Sequence, residues 1–192
     1  MVMLVPSLLS VQVALPREVQ TANGPLRTAL LKLAVAGPIP VGLRALAGDG
    51  CADLQYHGLE DQSVCVYPAE HYVWWREYLQ LDAVGLPYGS FGENFTVAGQ
   101  VEQSAYVGDR YRIGSAIVEI TKPRRPCSTL NKVWGESQMV AQMGRRSLTG
   151  WYLRVLQVGT VQAGDLCELL ERQLDAPNIC DAWREMDRGT TS

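Results

Sequence analysis

A β-rich α+β fold built on a closed or barrel-like sheet is what this sequence predicts. Short runs of β-branched and aromatic residues recur along the chain, clusters of Gly, Pro and Asp separate them, and few stretches carry apolar residues at helical spacing. Many short strands with few helices favour a sheet that closes on itself, because closure removes unpaired edges. The 192 residues, 47% of them hydrophobic, suffice for one sizeable core. One domain is expected over residues 1–171, with 172–192 as a short helical tail.

The elements follow in order. Residues 8–15 mix apolar and polar side chains at strand spacing and end at Pro16, giving a first strand. The apolar start is not read as a secretory leader, since it lacks a positive n-region and contains Pro6, Ser10 and Gln12. Residues 28–35 read as a strand, whereas Gly37-Pro38-Ile39-Pro40 argues against regular structure. A Gly- and Asp-rich loop spans 48–61. Residues 63–67 form a buried strand, and Pro68 suits the first turn of a helix carrying Tyr72, Trp75 and Leu79, a stripe that packs against a core. Turns at Gly108-Asp109 and Gly114-Ser115 set off strands over 110–113 and 116–121, a meander. Met139, Val140 and Met143 mark a short helix. Residues 151–158 and 166–170, joined through Gly159 and Gly164-Asp165, read as a hairpin-like pair, and Ile179, Trp183 and Met186 as a last helix.

Composition narrows the function. Seventeen basic and twenty acidic residues give a net charge of −3, so no global positive field draws the chain to a nucleic acid polymer or an anionic membrane. No stretch is apolar for long enough to span a bilayer. Five cysteines, an odd number without a Cys-x-x-Cys pair, support neither a disulfide framework nor a structural zinc site. Two histidines, His57 and His71, cannot build a three-histidine metal centre. Reduced thiols and a cytoplasmic location are expected.

One run carries chemistry. Pro123-Arg124-Arg125-Pro126-Cys127 sets a thiol beside two guanidinium groups, and neighbouring positive charge favours thiolate, the nucleophilic and metal-binding form. Its two prolines fit neither a helix interior nor a central strand, so the segment reads as a rigid loop presenting Cys127. Cys65 and Cys167 lie in strand-like runs and read as core. Cys51 sits in the Gly-Asp loop and Cys180 in the C-terminal amphipathic segment, neither beside a cation.

A family resemblance emerges from the motifs together. Gly48-Asp49-Gly50, Asp53-Leu54, His57-Gly58, Asp61, Tyr67-Pro68-Ala69-Glu70-His71-Tyr72, Phe91-Gly92-Glu93-Asn94, Gly108-Asp109 and the Cys127 run follow one another in an order that resembles the MOSC-domain family. That family is named for the C-terminal domain of molybdenum cofactor sulfurases. The chain is most similar to stand-alone bacterial members linked to resistance against 6-N-hydroxylaminopurine, over roughly residues 8–170. The resemblance implies a β-barrel-like fold and a molybdenum-pterin cofactor with Cys127 as metal ligand, which suits a soft thiolate. It implies a reductase that converts N-hydroxylated bases to amines, with electrons from an external flavoprotein or ferredoxin-type donor. Pyridoxal phosphate, which belongs to a separate domain of the larger sulfurases, is not expected in this chain.

Site residues follow from the same resemblance. Arg124 and Arg125 offer forked donors to phosphate or oxo groups, one of them with the option of facing solvent. Arg27, Thr28 and Lys32 are candidate phosphate or pterin contacts, with a solvated edge-strand charge as the alternative for Lys32. Asn94 suits a pterin or purine edge, or the cap of a turn. Asp61 joins the cofactor-binding set. His57, in a Gly-flanked loop beside Asp61, is the candidate proton source, or else holds its loop by hydrogen bonds. His71 reads as structural. Gln62, Ser128 and Thr129 stand where many relatives carry Lys, an aromatic and Lys, so two anion contacts of the family are absent. A cofactor carrier or storage module, a persulfide sulfur-transfer domain and a metal-free thiol peroxidase are the alternative functions.

Overall fold

A computed structural model describes residues 5–52, 59–173 and 175–189. Its centre is an eight-stranded sheet with the spatial order β12 (Cys167–Glu171), β8 (Arg110–Ile113), β9 (Ala116–Pro123), β10 (Trp151–Gln157), β6 (Val64–Pro68), β7 (Phe95–Ala98), β1 (Ser7–Val13) and β4 (Leu33–Ala34). Every pairing is antiparallel except β6 with β7, whose crossover carries helix α1 (Glu70–Leu79). The sheet curls until β1 meets the chain that leads into β12. Leu8 N donates to Asp165 O at 2.8 Å, Gly164 N to Leu8 O at 2.7 Å and Cys167 N to Pro6 O at 2.7 Å, so the seam is bridged by backbone hydrogen bonds. The barrel-like α+β fold read from the strand pattern is the fold observed.

Strand alternation creates two cores. Val64, Val66, Trp151, Leu153 and Val155 point into the barrel with Phe95, Val118 and Ile120. The opposite faces of β6 and β10 carry Cys65, Tyr67 and Tyr152. Tyr67 there joins a second cluster with Tyr72 and Trp75 of α1, Leu86, Phe91, Leu130 of α2 (Thr129–Trp134), and Met139 and Met143 of α3 (Met139–Arg146). Helix α4 (Ile179–Arg188) buries Ile179, Cys180 and Trp183, and Asn178 caps it by accepting from Asp181 N.

Several local expectations are corrected. Residues 28–35 are not one strand. A two-residue turn at Ala22-Asn23, followed by Gly24 at φ 99°, folds β2 (Arg17–Thr21) onto β3 (Gly24–Thr28), and the chain then leaves extended pairing. Thr28 Oγ1 accepts from Leu30 N and Lys32 N donates to Gly89 O, which takes those groups out of any ladder. Residues 39–41, placed in a turn, form β5 (Ile39–Val41) against β11 (Gly159–Val161). Ile39 and Val41 bury inward, and Pro40 is tolerated because the pair is short. Residues 151–158 and 166–170 do not pair with each other. β10 lies between β9 and β6, and β12 lies beside β8, because the chain leaves β10 at Gly159 to pair with β5. Pro68 ends β6 rather than opening α1. Pro123 is the last residue of β9, where its missing donor costs nothing because Arg124 N takes up the bond to Gly150 O at 3.0 Å.

Gly150 is where the cavity-side strands converge. It sits at φ 70°, and a Cβ there would lie 2.2 Å from Val66 O. Gly150→Ala is therefore expected to cost about 3 kcal/mol or more in urea unfolding, from left-handed backbone strain plus a clash with main chain. Gly164→Ala, at φ 97° with nothing within 4 Å of the added methyl, is expected to cost only about 1–2 kcal/mol.

Candidate functional site

The outer face of β6 and β10, away from the barrel interior, forms the floor of a cavity of about 460 Å³. Cys65 and Tyr152, cross-strand partners, lie on that floor, with Arg124 just past the end of β9. The walls come from Arg27 and Thr28 at the end of β3, the segment through Leu30 and Lys32, Asp49 to Ala52, Gly92 and Asn94, and Arg125, Cys127 and Thr129. Among the described lining residues, five cations (Arg27, Lys32, Arg44, Arg124 and Arg125) face the single carboxylate of Asp49. Local charge is thus opposite in sign to the net charge of the chain.

Arg124 dominates this electrostatics. Its side chain is buried, 5% exposed, and Nη1 has no hydrogen-bond partner. No carboxylate among the described residues forms an ion pair with it. Burial works against its charge, but Cys65, Tyr152, Cys127 and Glu93 outweigh that penalty and hold the guanidinium above its ordinary range. Burial pushes the Cys65 thiol up against the pull of Arg124, and burial with Cys65 pushes the Tyr152 phenol up, so both stay protonated and neutral near pH 7. A buried cation that lines a cavity and keeps one donor unused by the protein is a candidate anion contact.

Lys32 is clamped rather than solvated. Its ammonium pairs with Asp49 Oδ1, both side chains nearly buried, while Ala14 N donates to the same oxygen at 2.9 Å. Asn94 Nδ2 donates to Asp49 Oδ2 at 2.8 Å and to Gln12 O at 3.2 Å, and Asn94 Oδ1 accepts from Cys65 N at 3.1 Å. The edge-charge alternative for Lys32 is therefore overturned. Both amide protons of Asn94 are taken up by the protein, so the side chain braces Asp49 and β6 and keeps one lone pair of Oδ1 beyond the bond from Cys65 N.

The structure brings together most of the sequence candidates. Arg27, Thr28, Lys32, Asn94, Arg124, Arg125 and Cys127 all line the cavity, with Arg124 buried and Arg125 exposed at the mouth. Asp61 does not line it. It sits on a 3-10 turn, Glu60–Gln62, where its carboxylate accepts from Lys122 Nζ at 2.6 Å. His57 lies outside the described residues. His71 is structural as expected, with Nε2 2.7 Å from the buried Glu102 Oε2, whose other oxygen accepts from Gly150 N at 2.7 Å. Sequence reasoning missed Asp49, Tyr152 and the cavity-facing role of Cys65. Asp49 was visible within Gly48-Asp49-Gly50, but the side on which Cys65 and Tyr152 emerge depends on strand register.

Glu93 lies beneath the site, fully buried, with Tyr72 Oη donating to it and Gly89 N and Thr96 Oγ1 donating at 2.7 and 3.0 Å. Burial raises its carboxyl above the ordinary 4.5, against the lowering effect of these bonds. The native state therefore holds a proton that the unfolded chain has already released, and this contribution to stability falls as pH rises through that window. The stability advantage of wild type over Glu93→Gln is expected to be greatest near about pH 4 and to shrink toward neutrality in urea titrations. An advantage that widens with pH would contradict the raised carboxyl.

Comparisons with known proteins agree with this architecture. Residues 53–168 match the MOSC domain. Over 166 residues the chain is 39% identical to the uncharacterized protein YflK of Bacillus subtilis (strain 168), covering 86% of this chain and 74% of that one. A protein of Gibberella moniliformis (strain M3125 / FGSC 7600) named "Reductase" is 29% identical over 163 residues, 84% of this chain but only 29% of that longer one. The crystal structure of YiiM from Geobacillus stearothermophilus superposes with a TM-score of 0.78 at 28% identity, covering 97% of this chain and 86% of that one. A matched family domain over more than half the chain, on the curled sheet that frames the cationic cavity, places this protein in the MOSC domain family.

Proposed function

We propose that the protein is a molybdenum-pterin-dependent reductase of N-hydroxylated compounds, with the cationic cavity as cofactor site and Cys127 as the metal ligand. The observation that carries the reading is the unpartnered Nη1 of buried Arg124 in a cavity that also presents a half-buried thiol. The donor set fits the group, since a soft thiolate suits a soft-ligand metal and several cations suit an anionic pterin phosphate. Similarity to a protein named "Reductase" supports the reaction class. When bound, the cofactor supplies a two-electron centre able to accept an oxygen atom.

The roles of the chain's own residues follow from position. Arg124, with Arg27 and Thr28 in the same lining, would bind anionic oxygens. Lys32 adds a cation whose direction Asp49 fixes. The Tyr152 phenol, kept protonated by burial, is a hydrogen-bond donor on the cavity floor. Reduction of an N-hydroxylamine to amine and water consumes two electrons and two protons, and His57 is the proposed proton source. The electrons are proposed to come from a separate flavoprotein or ferredoxin-type donor.

Protein made in a cofactor-competent host is expected to retain molybdenum and pterin, and to reduce 6-N-hydroxylaminopurine when supplied with a donor system. Cys127→Ala is expected to lose bound molybdenum and at least about 100-fold in reduction rate, with the melting temperature of its cofactor-free form matching that of cofactor-free wild type. Wild-type protein without metal, or a variant that keeps metal and rate, would contradict the assignment. Metal without turnover would identify a carrier instead.

A further inference from the structure

A second cleft, of about 440 Å³, opens on the far side of the segment that carries Lys32, between the last turn of α1, the 83–88 loop and β4. Leu33, Ala34, Ala83 and Pro87 give it apolar walls and Tyr88 adds an aromatic face. Lys32 also borders it, but its ammonium is turned to Asp49 and contributes only its stem here. No acidic side chain is among the described residues that line this cleft. Its polar feature is Arg76. Nη2 of that guanidinium donates to Leu86 O at 3.2 Å, and Cζ lies 5.4 Å from the Tyr72 ring centroid and 6.0 Å from that of Tyr88. Nε is buried and has no hydrogen-bond partner.

A guanidinium that lines an apolar cleft and forms no ion pair among the described residues calls for one acceptor of negative charge attached to an apolar body. A doubly charged phosphate would lack a second available cation here. We infer that this cleft is a separate binding site for a small carboxylate with a flat apolar body, whose carboxylate accepts from Arg76 while its ring lies against Tyr88 and Pro87. The site does not depend on the reaction proposed for the first cavity. The two cavities share the Lys32 segment, which Gly89 approaches so closely that a Cβ there would lie 2.4 Å from Lys32 O.

Benzoate titrated into the full chain, followed by calorimetry and by amide chemical shifts, tests the inference. Saturable binding is expected, with benzamide, its neutral isostere, at least tenfold weaker. Arg76→Gln should weaken benzoate at least tenfold. Ala83→Trp, at an exposed position, should block the cleft while leaving the melting temperature unchanged, which covers the case in which the Arg76 variant misfolds. Arg124→Gln should leave benzoate binding as it is. Absence of saturable binding, equal binding of benzamide, full binding by Ala83→Trp, or loss on Arg124→Gln, which would move the ligand to the first cavity, would each overturn the inference.

Discussion

A guanidinium buried without an ionised partner is the constraint around which this molecule is organised. Moving a charge out of water costs several kcal/mol unless it is paired, and burial keeps the Cys65 thiol and the Tyr152 phenol beside Arg124 neutral near pH 7. The fold retains it by fixing its backbone. Arg124 N donates to Gly150 O, and Gly150 N donates to the buried Glu102, which also meets His71 on α1. Helix, loop and strand end are thereby tied to one side chain, and an anion in the cavity would supply the missing counter-charge.

Strand alternation explains why the cavity exists. On β6 and β10, Val64, Val66, Trp151, Leu153 and Val155 fill the barrel, which leaves Cys65 and Tyr152 on the outer surface. That surface is covered by the β2–β3 hairpin, loops and helices, with Arg27 on β3 and Lys32, Arg44, Arg124 and Arg125 on loops. The Asp49 carboxylate then gathers Ala14 N, the Lys32 ammonium and the Asn94 amide, so one acidic side chain sets the geometry of an otherwise cationic wall.

Much of this was legible in the sequence where local chemistry decides. The Pro-Arg-Arg-Pro-Cys run did mark the floor and rim of the cavity, and the Tyr72, Trp75 and Leu79 spacing did mark α1. The pairing of β8 with β9 followed its turns. What escaped was non-local. The pairing of β5 with β11 joins residues far apart in the chain, and Pro40 concealed it because proline signals a break wherever strand length is unknown. Lys32 looked like an edge charge because its partner Asp49 lies across a loop. The bracing role of Asn94 escaped because an amide on a Gly-flanked turn gives no hint that its protons go to Gln12 and Asp49 and that its oxygen accepts from Cys65 N.

The most direct test of the central claim is the melting temperature of cofactor-free wild type and Arg124→Met, each with and without inorganic phosphate. If Arg124 is a buried charge awaiting an anion, the variant melts at or above wild type, with a gain of up to about 4 kcal/mol, and phosphate raises the melting temperature of wild type alone. A variant that melts well below wild type, with phosphate acting equally on both, would mean that Arg124 is already satisfied by the protein and that the cavity is not built around its charge.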